Sequence, residues 1–343
     1  MTETFDHGGG VRSIQVPIPD NPLGYTLVYV VDTDRGPVLV DSGWDDPASW
    51  EVLTAGLAAC GTSVAEVHGV VVTHHHPDHH GLSGQVREAS GAWVAMHAAD
   101  AAIVRRTRET RPERWYAYMA AKLTAAGAPE EHVAPLRAAR RRTFPGLTPA
   151  LPDREIVPGE LLGLPGRRLR AIWTPGHTPG HVCLHLEEEH PAQLPGSGSG
   201  RLFSGDHVLP EITPHIGLYE DPDDATVTDP LGDYLDSLER VGRLTPAEVL
   251  PAHQYAFTDA PARVRQLLTH HEDRLTDLLA LLSEPLTPWQ LAERMEWNRP
   301  WQEIPYPSRN IAVSEAEAHL RRLVKLGRAE PVAGSEPVAY VAV

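Results

Sequence analysis

Five histidines and one aspartate stand within eight residues in the run Thr73-His74-His75-His76-Pro77-Asp78-His79-His80. Imidazole is the commonest metal ligand in proteins, and a neighbouring carboxylate adds a hard oxygen donor. We interpret the run as His-x-His-x-Asp-His, which selects His74, His76, Asp78 and His79 as candidate ligands. In extended chain His74 and His76 point the same way, as two ligands of one ion must.

The elements that must position these side chains are strands. Val70-Val71-Val72 is an apolar β-branched stretch that predicts a buried strand, and Pro77 breaks it. The histidine run is therefore expected on a loop at the C-terminal end of a strand. Three later donors follow predicted strands in the same way, namely His177 after 169–173, Asp206 after 201–204, and His253 after 247–250.

The order of predicted elements indicates an α/β fold. Strands and helices alternate between residues 25 and 97, as in layered α/β proteins. From residue 98 to about 145 the chain is rich in alanine and arginine and lacks strand signals. This stretch predicts two or three helices inserted into the α/β domain, which we place at residues 1–260.

The remaining residues, 261–343, have a different pattern. A long amphipathic helix comes first, and Thr287-Pro288-Trp289-Gln290 is a capping box that opens a second helix. Ser314-Glu315-Ala316-Glu317 is predicted to open a third helix, and a strand is expected near the terminus. Three helices and a hairpin resemble a winged helix, so we expect a separate C-terminal domain of this kind.

Composition narrows the class of protein. The chain has 343 residues, of which 41% are hydrophobic, and no apolar run reaches the ~18 residues that a membrane span needs. The first ten residues lack the apolar segment of a secretory signal, and the presence of only two cysteines argues against a disulfide framework. These features favour a cytoplasmic protein without a membrane partner.

The net charge of −16 is unevenly distributed. Residues 101–145 carry ten basic and four acidic side chains, a net +6, which leaves −22 for the rest. Residues 263–343 hold ten basic and eleven acidic side chains. A strongly acidic chain with a nearly neutral tail argues against nucleic acid as a partner, because phosphate contacts need a positive surface.

The four donor clusters, in this order at strand ends, resemble the metallo-β-lactamase-fold hydrolase superfamily over residues ~14 to ~260. With its C-terminal segment, the chain resembles in particular the glyoxalase II-like or β-lactamase-like subgroup that has a C-terminal winged helix. The resemblance implies a four-layer αβ/βα sandwich. The family's ligands carry over onto seven residues, with His74, His76 and His177 for a first ion, Asp78, His79 and His253 for a second, and Asp206 bridging both.

The resemblance also implies the cofactor and the chemistry. Two Zn²⁺ ions are expected, with Mn²⁺ or Fe as alternatives, and a metal-bridging hydroxide would attack the substrate without a Ser or Cys nucleophile. Asp78 and Asp206 are assigned to catalysis as well as to metal binding. Asp41 resembles the family's buried aspartate that orients a ligand histidine. His181 repeats the motif of His177 and is expected to lie behind the ligands.

The substrate is expected to be a small-molecule or carrier-bound thioester or related acyl ester. Arg105, Arg106 and Arg108 could bind the phosphates of coenzyme A or of an acyl carrier's phosphopantetheine arm, and Trp115 and Tyr116 could line an acyl slot. The same basic segment could instead be a solvated helical surface or a homodimer contact.

Other functions stay open at this point, because a fold does not fix a substrate. The same ions could serve a phosphodiesterase, such as an endoribonuclease, or a lactonase. A protein of another class, either a non-hydrolytic iron-dependent enzyme or a regulator, could also use this fold.

Overall fold

The computed structural model describes residues 3–110, 112–139, 149–188, 199–219 and 226–343. The first sheet has seven strands whose spatial order is their chain order, namely β1 (Thr4–Gly8), β2 (Val11–Pro17), β3 (Tyr25–Val31), β4 (Val38–Val40), β5 (Gly69–Val71), β6 (Trp93–His97) and β7 (Arg154–Ile156). Pairs from β1 to β4 are antiparallel, whereas β4, β5, β6 and β7 are parallel neighbours.

Four further strands form a second sheet, which has the spatial order 11-10-9-8 and contains β8 (Leu169–Trp173), β9 (Val182–Leu186), β10 (Arg201–Gly205) and β11 (Glu248–Pro251). Within it, β10 and β11 are parallel, and the other pairs are antiparallel. A terminal hairpin pairs β12 (Ala329–Pro331) with β13 (Tyr340–Ala342).

The helices in the described residues are α1 (Pro47–Ala59), α2 (Pro77–His80), α3 (Ser83–Ser90), α4 (Ala98–Glu109), α5 (Pro112–Ala125), α6 (Glu130–Ala138), α7 (Pro230–Gly242), α8 (Ala260–Leu281), α9 (Pro288–Arg294) and α10 (Tyr306–Lys325). Single 3₁₀ turns occur at Val64–Glu66 and Trp301–Glu303. Within the described ranges, no helix is long and apolar enough to cross a membrane.

Two buried clusters hold the sheets and helices together. One joins the inner faces of both sheets and includes Tyr29, Val71, Leu184 and Phe203. The other fills the opposite face of the first sheet, where side chains such as Leu53 of α1 pack against the strands. The predicted α/β architecture with two packed sheets is therefore confirmed.

The strand ends determine where the polar groups meet. Asp41 follows β4, the histidine run follows β5, and both strands are parallel, so their C-terminal ends lie at one edge of the sheet. One prediction needs correction here, because Asp78 and His79 lie on the single helical turn α2 and not on an irregular loop.

The chain folds into two compact units. The first comprises Met1–Thr107, Gly146–Pro214 and Ser237–Arg265, and the second comprises Arg108–Pro145, His215–Asp236 and Gln266–Val343. The two sheets of the sandwich belong to the first unit. The domain limits expected from the sequence, with a boundary at 260/261 and an insertion at 98–145, stay a prediction.

The second unit combines helices from the insertion with helices from the tail. The turn before α6 docks on the start of α9, where the Trp289 amide donates to the Ala126 carbonyl at 2.9 Å. The His132 ring stacks on Tyr306 at a centroid distance of 4.7 Å. The Thr287 capping box is present, whereas Ser314 opens no helix because α10 already begins at Tyr306.

Candidate metal centre

Three histidine nitrogens converge on one point. His74 Nε2 lies 2.9 Å from His76 Nδ1 and 3.2 Å from His177 Nε2, and the last two nitrogens are 3.1 Å apart. Tetrahedral ligands at zinc–nitrogen distances of 2.0–2.1 Å are about 3.3 Å from one another. The spacing of these three nitrogens therefore suits a single tetrahedral cation.

A second group of donors faces the first. His79 Nε2 and His253 Nε2 each lie 3.3 Å from Asp78 Oδ2. No hydrogen-bond partner in the described chain satisfies either of these buried nitrogens. Buried polar atoms in native proteins are normally satisfied, so two unsatisfied lone pairs beside a carboxylate are the signature of a place for a cation.

Asp206 belongs to both groups. Its Oδ2 lies 3.5 Å from His177 Nε2, whereas its Oδ1 lies 3.2 Å from His253 Nε2 and 3.5 Å from His79 Nε2. Oδ1 is buried and has no hydrogen-bond partner among the described residues. One oxygen thus faces each group, as a carboxylate shared by two cations must.

The structure also fixes which nitrogens carry protons. His253 Nδ1 donates to the Tyr25 carbonyl at 2.9 Å, and His79 Nδ1 donates to Asp41 Oδ2 at 2.8 Å. A carbonyl and a carboxylate can only accept, so Nδ1 carries a proton in both histidines, and Nε2 is the ring nitrogen that can bind a cation. Asp41 adopts a positive φ of 61°, which aspartate tolerates better than most residues.

Thr73 determines in a similar way which ring nitrogen of His74 carries the proton. Its hydroxyl donates to Asp41 Oδ2 at 2.9 Å and lies 3.1 Å from His74 Nδ1. Because that hydroxyl proton is committed to the carboxylate, the hydroxyl oxygen must accept from His74 Nδ1–H. One buried aspartate therefore orients His79 directly and His74 through Thr73.

His181 lies behind the two donor groups and contacts the chain at Asp206. Its Nε2 accepts from the Asp206 backbone amide at 3.2 Å, and its Nδ1 donates to Thr174 Oγ1 at 2.7 Å. Both ring nitrogens are thus engaged, which leaves no lone pair for a cation. The arrangement fixes the backbone that carries the Asp206 carboxylate.

The two groups of metal-binding candidates differ in the pKa values of their histidines. Burial, and then the neighbouring histidines, hold the pKa of His74 and of His76 well below 6.5, so both are neutral ligands at pH 7. Burial opposes protonation of His253, but Asp206 and Asp78 raise its pKa to about 10. Two carboxylates therefore create a negative potential at this position, and that potential attracts a cation.

Several residues that hold the site were not identified from the sequence. They are Thr73, Thr26, whose hydroxyl donates to Asp78 Oδ2 at 3.2 Å, and Asp100, which accepts from the His75 amide at 2.9 Å. Position offers a signal for two of them, because Thr73 adjoins His74 after β5, and Asp100 lies in the first helical turn after β6.

The residues predicted to bind substrate are distributed between the two units. Arg105 and Arg106 belong to the first unit, and Arg108, Trp115 and Tyr116 belong to the second. Arg105 is exposed and lies 3.5 Å from Glu155. The Trp115 and Tyr116 rings contact each other at 5.0 Å, and Tyr116 is buried. Four other arginines of the basic segment lie outside the described residues, namely Arg111, Arg140, Arg141 and Arg142.

Comparison with known proteins agrees with this geometry. The family model described as "Metallo-beta-lactamase superfamily" matches residues 21–253. A probable metallo-hydrolase of Bacillus subtilis, YqjP, is 26% identical over 290 residues, which are 83% of this chain and 84% of YqjP. The lactamase-like protein adaB of Aspergillus niger is 28% identical over 75% of this chain, which spans only 58% of adaB.

A solved structure extends the similarity to most of the chain. A metallo-beta-lactamase family protein from Thermus thermophilus is 31% identical and superposes with a TM-score of 0.77. The superposition covers 97% of this chain and 99% of that protein. The shared architecture therefore includes residues beyond the segment that the family model matches.

Proposed function

The chain belongs to the metallo-beta-lactamase superfamily, and we propose that it is a hydrolase that uses two divalent cations to cleave a thioester or related acyl ester. The observation that carries the proposal is the shared carboxylate, since Asp206 directs one oxygen to each group of donors. In this proposal the first cation is held by His74, His76 and His177, and the second by Asp78, His79 and His253.

The bound cations would lower the pKa of a coordinated water towards ~7 and polarise the carbonyl under attack. The protein's own groups prepare for this chemistry by holding protons on the Nδ1 atoms of His74, His79 and His253. Because these Nδ1 protons are fixed, the Nε2 atoms stay directed inward, and a cation that binds at His253 would displace the proton that the two carboxylates favour there.

Asp78 and Asp206 are proposed to take the proton that the attacking water loses. Their side chains are 14% and 11% exposed, whereas those of His79 and His253 are almost completely buried. Among these four residues, the two carboxylates are therefore the ones that would both face the cations and meet solvent. Thr26 holds Asp78 in place through its hydroxyl.

Coenzyme A or an acyl carrier is the proposed leaving group. The basic segment at residues 101–145 supports this choice, because phosphate groups need cationic partners. Arg105 is 44% exposed, and its contact with Glu155 is a solvent-screened pair of the kind worth about 0–1 kcal/mol. A phosphate could displace such a partner at little cost.

The C-terminal segment is proposed to be a winged-helix-like module. Helices α8, α9 and α10 followed by the hairpin of β12 and β13 support this assignment. Its nearly neutral charge favours a role in packing or homodimer contact over nucleic-acid binding. A cytoplasmic location stays a prediction.

A substrate screen tests the proposal. The chain would be loaded separately with Zn²⁺, Mn²⁺ and Fe²⁺ and tested with an acyl-CoA, a lactone, a β-lactam and a phosphodiester. We expect the highest kcat/KM for the thioester, and loss of that activity in Asp206→Asn. Faster cleavage of the phosphodiester or the lactone would show that this compound class, and not the thioester, is the substrate. No turnover by fully loaded protein would favour a non-hydrolytic iron-dependent or regulatory role.

A further inference from the structure

Asp100 is a completely buried carboxylate that accepts four hydrogen bonds. Its Oδ2 accepts from the His75 amide at 2.9 Å, from His75 Nδ1–H at 3.0 Å and from the Thr178 hydroxyl at 2.8 Å. Its Oδ1 accepts from the Gly180 amide at 2.6 Å. The carboxylate is thus bonded to two separate stretches of chain.

Those two stretches carry the three histidines of the first donor group. His75 lies between His74 and His76, and Thr178 directly follows His177. The ring nitrogens of the three histidines are only 2.9–3.2 Å apart, so a small shift of either stretch would separate them. Asp100 itself lies in the first turn of α4, immediately after β6, on rigid secondary structure.

The stretch that contains His177 and Gly180 passes very close to Asp100. A Cβ at position 180 would lie 2.5 Å from the Asp100 backbone nitrogen and 2.6 Å from its Oδ1. Glycine is therefore required at this position for steric reasons, and the Gly180 amide can reach the carboxylate only because the side chain is missing. The sequence and the hydrogen bonds thus agree that this contact is built into the fold.

We propose that Asp100 is a positioning residue for the first cation, because it holds the His74–His76 stretch and the His177–Gly180 stretch in register. The inference rests on the proposed two-cation site. Each carboxylate oxygen faces a backbone N–H that cannot turn away, on His75 for Oδ2 and on Gly180 for Oδ1. In Asp100→Asn, the amide group would point its NH₂ at one of these donors in either orientation.

A zinc titration against a chromophoric chelator tests this role without any substrate. Zinc-free wild type and Asp100→Asn would be titrated to two equivalents, and the two binding steps would be fitted separately. Loss of a group that orients metal ligands typically costs about 10–100-fold in metal affinity. We expect a loss of that size in one step, with the other step changed by less than about threefold.

A matched control separates positioning from general stability. Asp229 is another buried aspartate, and it accepts from Arg322 within the second compact unit. Asp229→Asn should lower the melting temperature and leave both zinc-binding steps unchanged. If Asp100→Asn behaves in the same way, Asp100 is merely structural and the inference is wrong.

A second variant keeps the test decisive if Asp100→Asn fails to fold. Thr178→Val removes one neutral donor to Asp100 and keeps the side-chain shape, so the same step should weaken about 3- to 10-fold. An unchanged step would refute the positioning role while leaving the hydrolase proposal intact. A wild-type chain that binds no zinc would instead overturn the proposed function, and this inference with it.

Discussion

Replacing Asp206 by asparagine is the most informative single change to the site. The variant keeps the size of the side chain but offers one oxygen and one NH₂ in place of two oxygens. Because Oδ1 faces His79 and His253 and Oδ2 faces His177, one donor group must lose its oxygen in either orientation. An amide NH₂ cannot bind a cation, so at most one group remains complete.

The size of the effect follows from the potential at His253. Burial opposes protonation there, yet Asp206 and Asp78 raise the pKa of His253 to about 10, so the potential at this position is negative. A unit charge about 4 Å from a cation contributes about 4 kcal/mol at an effective dielectric constant of about 20, and water recovers part of this when the charge is removed, so losing one carboxylate charge should cost a bound cation about 2–3 kcal/mol. That energy equals roughly 30- to 150-fold in affinity.

Isothermal titration of the zinc-free protein with Zn²⁺ measures this loss directly. We expect wild type to bind two equivalents, and Asp206→Asn to bind one equivalent at the same concentrations, with hydrolysis lost in parallel. Asp229→Asn is a suitable control, because the two aspartates are equally exposed as whole residues, at 8%, and Asp229 contacts Arg322 within the second unit. Two equivalents of undiminished affinity in Asp206→Asn would refute the shared carboxylate.

Three further predictions concern other parts of the chain. Thr73→Val should weaken zinc binding about 3- to 10-fold, because it removes the hydroxyl that accepts from His74 Nδ1–H; unchanged affinity in a competition titration would contradict the proton assignment. Burial, with a smaller effect of a neighbouring histidine, lowers the pKa of His271 to about 3. The unfolded chain therefore binds a proton first as pH falls below 6.5, and stability should drop by about 2 kcal/mol between pH 7 and pH 5. Urea unfolding at pH 7 and pH 5 measures this loss, which should be smaller in His271→Gln. An equally large loss in that variant would show that His271 is not its cause. Replacing Arg105, Arg106 and Arg108 together by alanine should raise KM for anionic thioesters about tenfold, and an equal rise for neutral esters would refute phosphate binding.

Much of the fold could be predicted where hydrophobic patterns are strong. The strand predicted at 169–173 is present with these limits, and the strands predicted at 201–204 and 247–250 are present at Arg201–Gly205 and Glu248–Pro251. The third tail helix was placed wrongly at Ser314, since a capping pattern inside a helix looks the same as one at its start. In the structure the Ser314 hydroxyl accepts from the Leu218 amide at 2.9 Å, a partner almost 100 residues away that local sequence does not indicate.

For the site, too, the residues that are neighbours in sequence could be predicted, whereas contacts between distant segments could not. His74, His76, Asp78 and His79 are adjacent in the chain, and their types and spacing are enough to indicate metal chemistry. The roles of Thr73 and the hydrogen bonds of Asp100 depend on contacts between segments that are distant in sequence. Aspartate and threonine at turns are common, so their types alone do not distinguish a positioning group from an ordinary turn residue.

Anomalous X-ray diffraction at the zinc edge, on crystals of the zinc-loaded protein, tests the central claim most directly. We expect two anomalous peaks about 3.5–4 Å apart, one bonded to His74, His76 and His177 and the other to Asp78, His79 and His253. The Asp206 carboxylate should lie between them with one oxygen on each ion. A single peak at full zinc occupancy, or two peaks without Asp206 between them, would contradict the two-cation centre.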